Sequence, residues 1–414
     1  MPSILHRARR YRSRQSAGRP ANEERGRPGT GAWMTAAEQD RLMMAFVALA
    51  MVARLVRFLL RFPLWEDECF LVSNFMDRGF NDLLLPLNYH QVAPLGFLGI
   101  ELAAVKLFGF NEWSLRLVPF VCGIASVLLF RHLAGRLVEG PARLIAVATF
   151  CASYSGIRYA AEAKPYGVDL FASLVMLTLA VEWWTSRKAE WLIALVAVAP
   201  LAIMLSYPAV FVCGGLSVFV AFVLVGEGRR GWLSWLALNA ALLSSFLLML
   251  RCAARGQADA ELDWMQNYWK EQLPSLFAPG ELLIWLLTTH TGDLLAIPLG
   301  GERGASTLSF LLVVAGILAL WRTRRFGLAA LCLAPAALNL AAAFMGRFPY
   351  GGHVKFSQYL APAICLLIGV GGAALVGMGR GDAAGRRTKM ALALVALALI
   401  PLGTMARDFV NPYK

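Results

Sequence analysis

Apolar runs close to the length of a spanning helix, roughly 20 residues for a hydrocarbon layer of roughly 30 Å, recur along most of this 414-residue chain. They fall at 42–60, 115–133, 143–160, 167–184, 190–206, 208–225, 232–250, 306–321, 326–345, 357–378 and 390–406, with charged or turn-forming residues between them. The pattern predicts an all-α fold, a polytopic transmembrane helical bundle of about 11 spans. One further apolar stretch, Ala93 to Phe108, opens at Pro94 and is interrupted by Glu101 and Lys106. It reads as a helix lying at the membrane interface rather than crossing it.

Composition sharpens this picture. Hydrophobic residues make up 58% of the chain and charged residues 16%, against about 25% charged in an average soluble domain. A soluble enzyme is excluded. The net charge of +13 does not call for nucleic acid, because basic loops in a membrane protein first report which side stays in the cytoplasm. Residues 1–41 carry nine Arg and no Lys and read as a disordered cytoplasmic tail. An integral membrane domain over 42–406 and a short outside C-terminus over 407–414 follow.

With the tail inside, alternate connections collect the Arg and Lys residues around 131–143, 187–188, 229–230, 322–325 and 380–389, which gives the inner face +14 and the outer face −3. The separation supports an odd number of spans in the cell inner (plasma) membrane. It also leaves two long outside loops, 61–114 and 251–305. Loops of that length on one side usually carry function. Seven Cys, five of them within apolar segments, form no disulfide framework and no metal-finger spacing.

The strongest chemical signal is Trp65-Glu66-Asp67-Glu68-Cys69-Phe70, three consecutive carboxylates just after the first span. Charges at membrane depth are expensive and are functional candidates by default. On a helix neighbours point about 100° apart, so the three cannot converge. Asp67 shares a face with Phe70, Leu71 and Asn74. A carboxylate crowded by like charges has its pKa raised and becomes a better general base; the alternative is a set of solvated interfacial acids.

Asn88-Tyr89-His90-Gln91 leads into the interfacial helix, with His90 and Gln91 as candidate acceptor or sugar contacts, or plain hydrogen-bonding loop residues. At the outer ends of the third and fourth spans, Arg158, Glu162, Lys164, Tyr166 and Asp169 bring both signs together. Either Glu162 pairs with Arg158 or Lys164, or one of the cations meets an anionic headgroup. The late loop Gly346-Arg347-Phe348-Pro349-Tyr350-Gly351-Gly352-His353-Val354-Lys355 adds glycines and basic groups suited to phosphate. In the 251–305 loop, Trp264, Tyr268 and Trp269 are placed either to stack on a sugar or to anchor at headgroup level.

Taken together, the Asp-Glu pair after the first span, the Ala-Pro-Leu-Gly-Phe-Leu helix and the Asn111-Glu112-Trp113-Ser114-Leu115-Arg116 opening of the second span resemble the glycosyltransferase C superfamily. The similar branch is the bacterial one that includes dolichyl-phosphate-mannose protein mannosyltransferases and lipid A aminoarabinose transferases. The likeness is densest over 61–170 and recurs at 346–365. It implies a sugar donor carried on a polyprenyl phosphate, a lipid, glycan or protein acceptor, and an inverting mechanism on the outer face.

By that resemblance Asp67 is the catalytic base with Glu68 as its companion. Arg158, Lys164, Tyr166, His353 and Lys355 hold the donor phosphate, and His90, Gln91, Glu162, Trp264 and Tyr268 contact acceptor or sugar. Relatives commonly carry Tyr-Pro-x-Gly followed by Arg in the late loop. This chain instead has Phe348-Pro349-Tyr350-Gly351 and then His353 or Lys355. A divalent cation is conceivable, though no metal ligand set has recognisable spacing. The competing reading is a lipid-linked saccharide transporter or flippase, which predicts functional charges along a pathway within the spans, whereas nearly all ionisable residues here sit at one rim and only Arg54 and Arg57 lie inside a marked span.

Overall fold

The computed structural model describes residues 33–227, 231–256, 267–274, 278–298, 306–378 and 383–411. Helices overlie the apolar runs. They are α1 (Ala36–Leu59), α2 (Glu66–Val72), α3 (Leu95–Phe108), α4 (Glu112–Leu137), α5 (Gly140–Ala152), α6 (Tyr166–Ser186) and α7 (Ala189–Leu205). The second half contributes α8 (Ala209–Glu227), α9 (Trp232–Gly256), α10 (Pro279–Thr291), α11 (Thr307–Arg322), α12 (Phe326–Phe344), α13 (Ala361–Met378) and α14 (Ala383–Val410). No strand occurs among the described residues. Seven helices are long and apolar enough to cross a membrane, and α5, α7, α8 and α11 are shorter apolar helices. Exposed Leu201, Val225, Leu236, Leu311 and Leu399 cover the flanks, as lipid-facing helices require. The chain is an integral membrane protein.

Local chemistry sets the helix ends. Thr35 caps α1 in a reciprocal box with Glu38, and the Asn111 side chain accepts from the amides of Trp113 and Ser114 to start α4. The run at 143–160 is not one helix. The backbone of Ser153 leaves the helical region, with ψ of 114°, and its hydroxyl accepts from Gly156 to begin a separate turn over Tyr154–Arg158. A serine that competes for backbone donors interrupts a helix, and here the break turns Arg158 to Lys164 inward.

Two cores result. The larger one lies along the bundle, where α13 packs on α11 and α5, α4 on α6, and α8 on α12. The smaller one is built by the 61–114 segment around Leu71, Phe75, Phe97, Leu102, Leu115 and Val168. Helix α3 thus packs against α4 and α7 more deeply than an interfacial position suggests. Glu101 is fully buried on it, and burial holds its carboxyl well above the ordinary range. The bundle also buries more charge than its hydropathy indicates: Arg54 is fully enclosed and donates to the Ala50 carbonyl, and Arg57 pairs with Asp408 of α14 at 2.5 Å.

Candidate active site

The site forms where the short helix α2, the 88–91 turn, the 158–166 segment and the 348–356 loop meet. Helix α2 starts at the carboxylates themselves, which places Glu66, Asp67 and Glu68 in its first turn, where acidic groups are favoured by unpaired amides and the helix dipole. The three then separate as helical spacing demands. Glu66 is exposed to the surroundings. Glu68 turns inward, 1% exposed, and is held by Arg116 at 2.8 and 2.6 Å and by the Ala163 amide at 2.7 Å. Asp67 points to the cleft.

Two ammonium groups meet Asp67. Lys164 Nζ lies 2.8 Å from Oδ1 and Lys355 Nζ 3.4 Å from Oδ2. Burial alone would raise the Asp67 carboxyl, but the two lysines together hold it below the ordinary aspartate range. The sequence pattern suggested a raised value from crowding by like charges. Of the neighbouring acids, Glu68 is paired with Arg116 and Glu66 points out to the surroundings, so the two lysines dominate. Burial also lowers the Lys164 ammonium, against the pull of Asp67. The triad carries one net positive charge.

Around the triad, Lys164 also donates to Gln91 Oε1 at 2.7 Å, so Gln91 joins the site. His90 lies in the same turn, exposed, with φ of 51°. Lys355 faces the rings of Phe356, Tyr166 and Trp269 at 5.4, 5.8 and 6.0 Å, an arrangement that favours a cation. Its backbone amide donates to His353 Nδ1 at 3.2 Å. Burial, reinforced by Lys355 and Arg158, lowers the His353 imidazole to about 4. His353 is therefore a neutral hydrogen-bonding group at neutral pH, not a third cation.

Of the alternatives for Arg158, pairing is the one realised, with its Nε 2.5 Å from Glu162 Oε1. Burial raises the Glu162 carboxyl despite this arginine. A cavity of about 120 Å³ adjoins the triad, lined by Lys164, Tyr166, Asp169, Trp269, Phe348 and Phe356 among others. Tyr268 is exposed and packs edge-on to Trp269 at 4.9 Å, and Trp264 lies outside the described residues. Sequence reasoning did not single out Arg116 as the partner of Glu68, or the three-ring seat of Lys355. The one available signal for the first was an arginine in the opening turn of an apolar span.

A divalent cation fits poorly here. Both Asp67 oxygens already face ammonium groups, while Glu68 and Glu162 are paired to arginines. Among the described residues no three His, Cys, Asp or Glu side chains converge as a metal would require.

A family model described as dolichyl-phosphate-mannose-protein mannosyltransferase matches residues 91–253. That stretch includes Arg116, Glu162, Lys164 and Tyr166 and begins after Asp67. Among solved structures, ArnT from Cupriavidus metallidurans in the apo state has a TM-score of 0.56 at 14% identity, covering 90% of this chain and 76% of that one. The same protein bound to undecaprenyl phosphate gives 0.53 at 16%, covering 89% and 72%. The Archaeoglobus fulgidus oligosaccharyltransferase in complex with Zn and sulfate gives 0.50 at 13%, covering 86% of this chain and 53% of that one. No curated protein sequence matches. The chain shares the fold of these structures, and the resemblance read from its sequence holds at that level.

Proposed function

We propose that the protein is a membrane glycosyltransferase that moves a sugar from a polyprenyl-phosphate donor to an acceptor hydroxyl, on the face opposite its arginine-rich connections. The observation that carries this reading is a half-buried aspartate shared by two lysines beside a cavity at a membrane-protein rim. The ArnT structure with undecaprenyl phosphate and the mannosyltransferase family model support the lipid-linked donor.

The acceptor oxygen attacks the anomeric carbon from the side opposite the phosphate and gives its proton to the Asp67 carboxylate. The new C–O bond forms as the anomeric C–O bond to phosphate breaks, and that electron pair leaves with the lipid phosphate. A single displacement inverts the anomeric configuration. When Asp67 takes the proton it loses its charge, just as the departing phosphate gains one. Lys164 and Lys355 then exchange the first anion for the second, so the site's net charge is constant through the step. Preorganised cations at a developing charge are a large source of catalysis, and a phosphate leaving group needs no protonating acid.

Asp67→Asn tests this directly. Transfer from a polyprenyl-phosphate sugar in reconstituted membranes falls by about 10²–10⁴, the usual contribution of a general base, while the protein folds and binds donor. Full transfer in that variant rejects Asp67 as the base.

A further inference from the structure

The opposite end of the bundle holds a second, larger opening. Arg116, which clamps Glu68, lies near the start of α4, and Arg136 lies near its end, about 30 Å away at 1.5 Å per residue. That is the thickness of the hydrocarbon layer, so groups near Arg136 sit at the other membrane surface. There an open cleft of about 500 Å³ lies between the α4–α5 connection and the ends of α11 and α13, lined by Arg136, Glu139, Thr323, Arg325, Val370 and Ala373 among others. This is within the range of about 300–1,000 Å³ typical of ligand pockets.

The charges of this cleft are not balanced. Arg136 is bound to Glu182. Arg325 donates to the Leu137 carbonyl at 2.5 Å, and the Arg143 guanidinium lies against Gly135, which lines the cleft, with its Nε buried and unpartnered. Among the described residues neither Arg143 nor Arg325 is paired to a carboxylate. Glu139, exposed at the edge, offsets one of these charges. One net positive charge remains, which suits a monoanionic phosphodiester better than a phosphate dianion. On its outward side, about half a turn round from the cleft-lining Leu320 and Thr323, α11 presents exposed Leu311, Leu318 and Trp321. Tryptophan is at home at headgroup level, and the leucines continue as an apolar track.

From this combination we propose that the cleft binds the headgroup of an anionic phospholipid in the leaflet facing away from Asp67. Its phosphodiester sits by Arg325 and Arg143, headgroup hydroxyls donate to Glu139, and the acyl chains run from the cleft into the bilayer around α11. Basic pockets between helices at a membrane surface recognise lipid headgroups in this way.

The test is native mass spectrometry of the delipidated full chain titrated with phosphatidylglycerol, phosphatidylethanolamine or inorganic phosphate. Phosphatidylglycerol is expected to bind about five-fold more tightly than phosphatidylethanolamine, and Arg325→Gln to erase that preference. Since Arg325 also holds the end of α4, Thr323→Asp supplies a variant at an exposed position and is expected to have the same effect. Equal binding of the two lipids, a preference that survives both substitutions, or displacement by inorganic phosphate at matched concentration would each overturn the assignment. Sugar transfer is not the readout, so the result stands apart from the role of Asp67.

Discussion

Asp67 and Glu68 are adjacent in sequence, chemically alike and set at opposite ends of a contrast. Glu68 is enclosed, matched one to one with Arg116 and saturated by a backbone amide. Asp67 is half-buried and shared by two lysines, so its surroundings hold more positive charge than it can cancel. A saturated pair fixes loops. An unsaturated one retains capacity for another anion, and that excess is what supports Asp67 as the proposed base and Glu68 as a structural group.

The contrast can be broken most forcefully at Arg116. Arg116→Ala strands Glu68 without its partner, and uncoupling a buried pair costs about 3–5 kcal/mol. The thermal unfolding midpoint in detergent should fall sharply, and the Glu68→Gln, Arg116→Met double variant should recover much of it. Full stability in Arg116→Ala would show that the pair does not hold the loops. Next in size is the lysine side. Lys355→Ala should raise the apparent KM for donor about ten-fold, as expected for one charge-assisted contact, with a much smaller change in unfolding midpoint than Arg116→Ala causes.

The pH profile sharpens the same point. With both lysines present the Asp67 carboxyl lies below its ordinary 3.8, so the base form is complete throughout the neutral range and kcat/KM is flat there on its account. Lys164→Met removes one of the groups that lower it and leaves burial, which raises it. The acid limb should then move to higher pH than in the unsubstituted protein; a profile unchanged by the substitution would mean that another group sets the rate. The smallest effect belongs to the exposed Arg61–Glu112 pair at 3.0 Å. Glu112→Gln should move stability by less than about 0.5 kcal/mol, as solvated pairs usually do, measured by the same unfolding curve.

Much of the architecture was legible in the chain because apolar runs of membrane length have one economical outcome, and helices stand where they fall. The Ser153 break was not legible. Hydropathy averages across it, whereas the break depends on one hydroxyl capturing one amide. Within the site, Asp67 and Lys164 could be picked out because ionisable residues beside spans are conspicuous. Their meeting with Lys355, 288 positions away from Asp67, depends on the tertiary arrangement alone. The neutral state of His353 was hidden for the same reason: burial and two nearby cations decide it, and neither is visible in a Gly-rich basic motif.

The glycines of α11 and α13 carry a last consequence. A Cβ at Gly316 would stand 2.2 Å from the Leu367 carbonyl, one at Gly371 2.0 Å from that of Leu312, and one at Gly369 2.4 Å from that of Ala142. Three backbones are thus locked together through missing side chains, and α13 behaves as a stator. The 88–91 turn and the 348–356 loop, which bring Gln91 and Lys355 to Asp67, stand outside that frame. A side chain added at any of the three glycines would therefore have to push two helices apart.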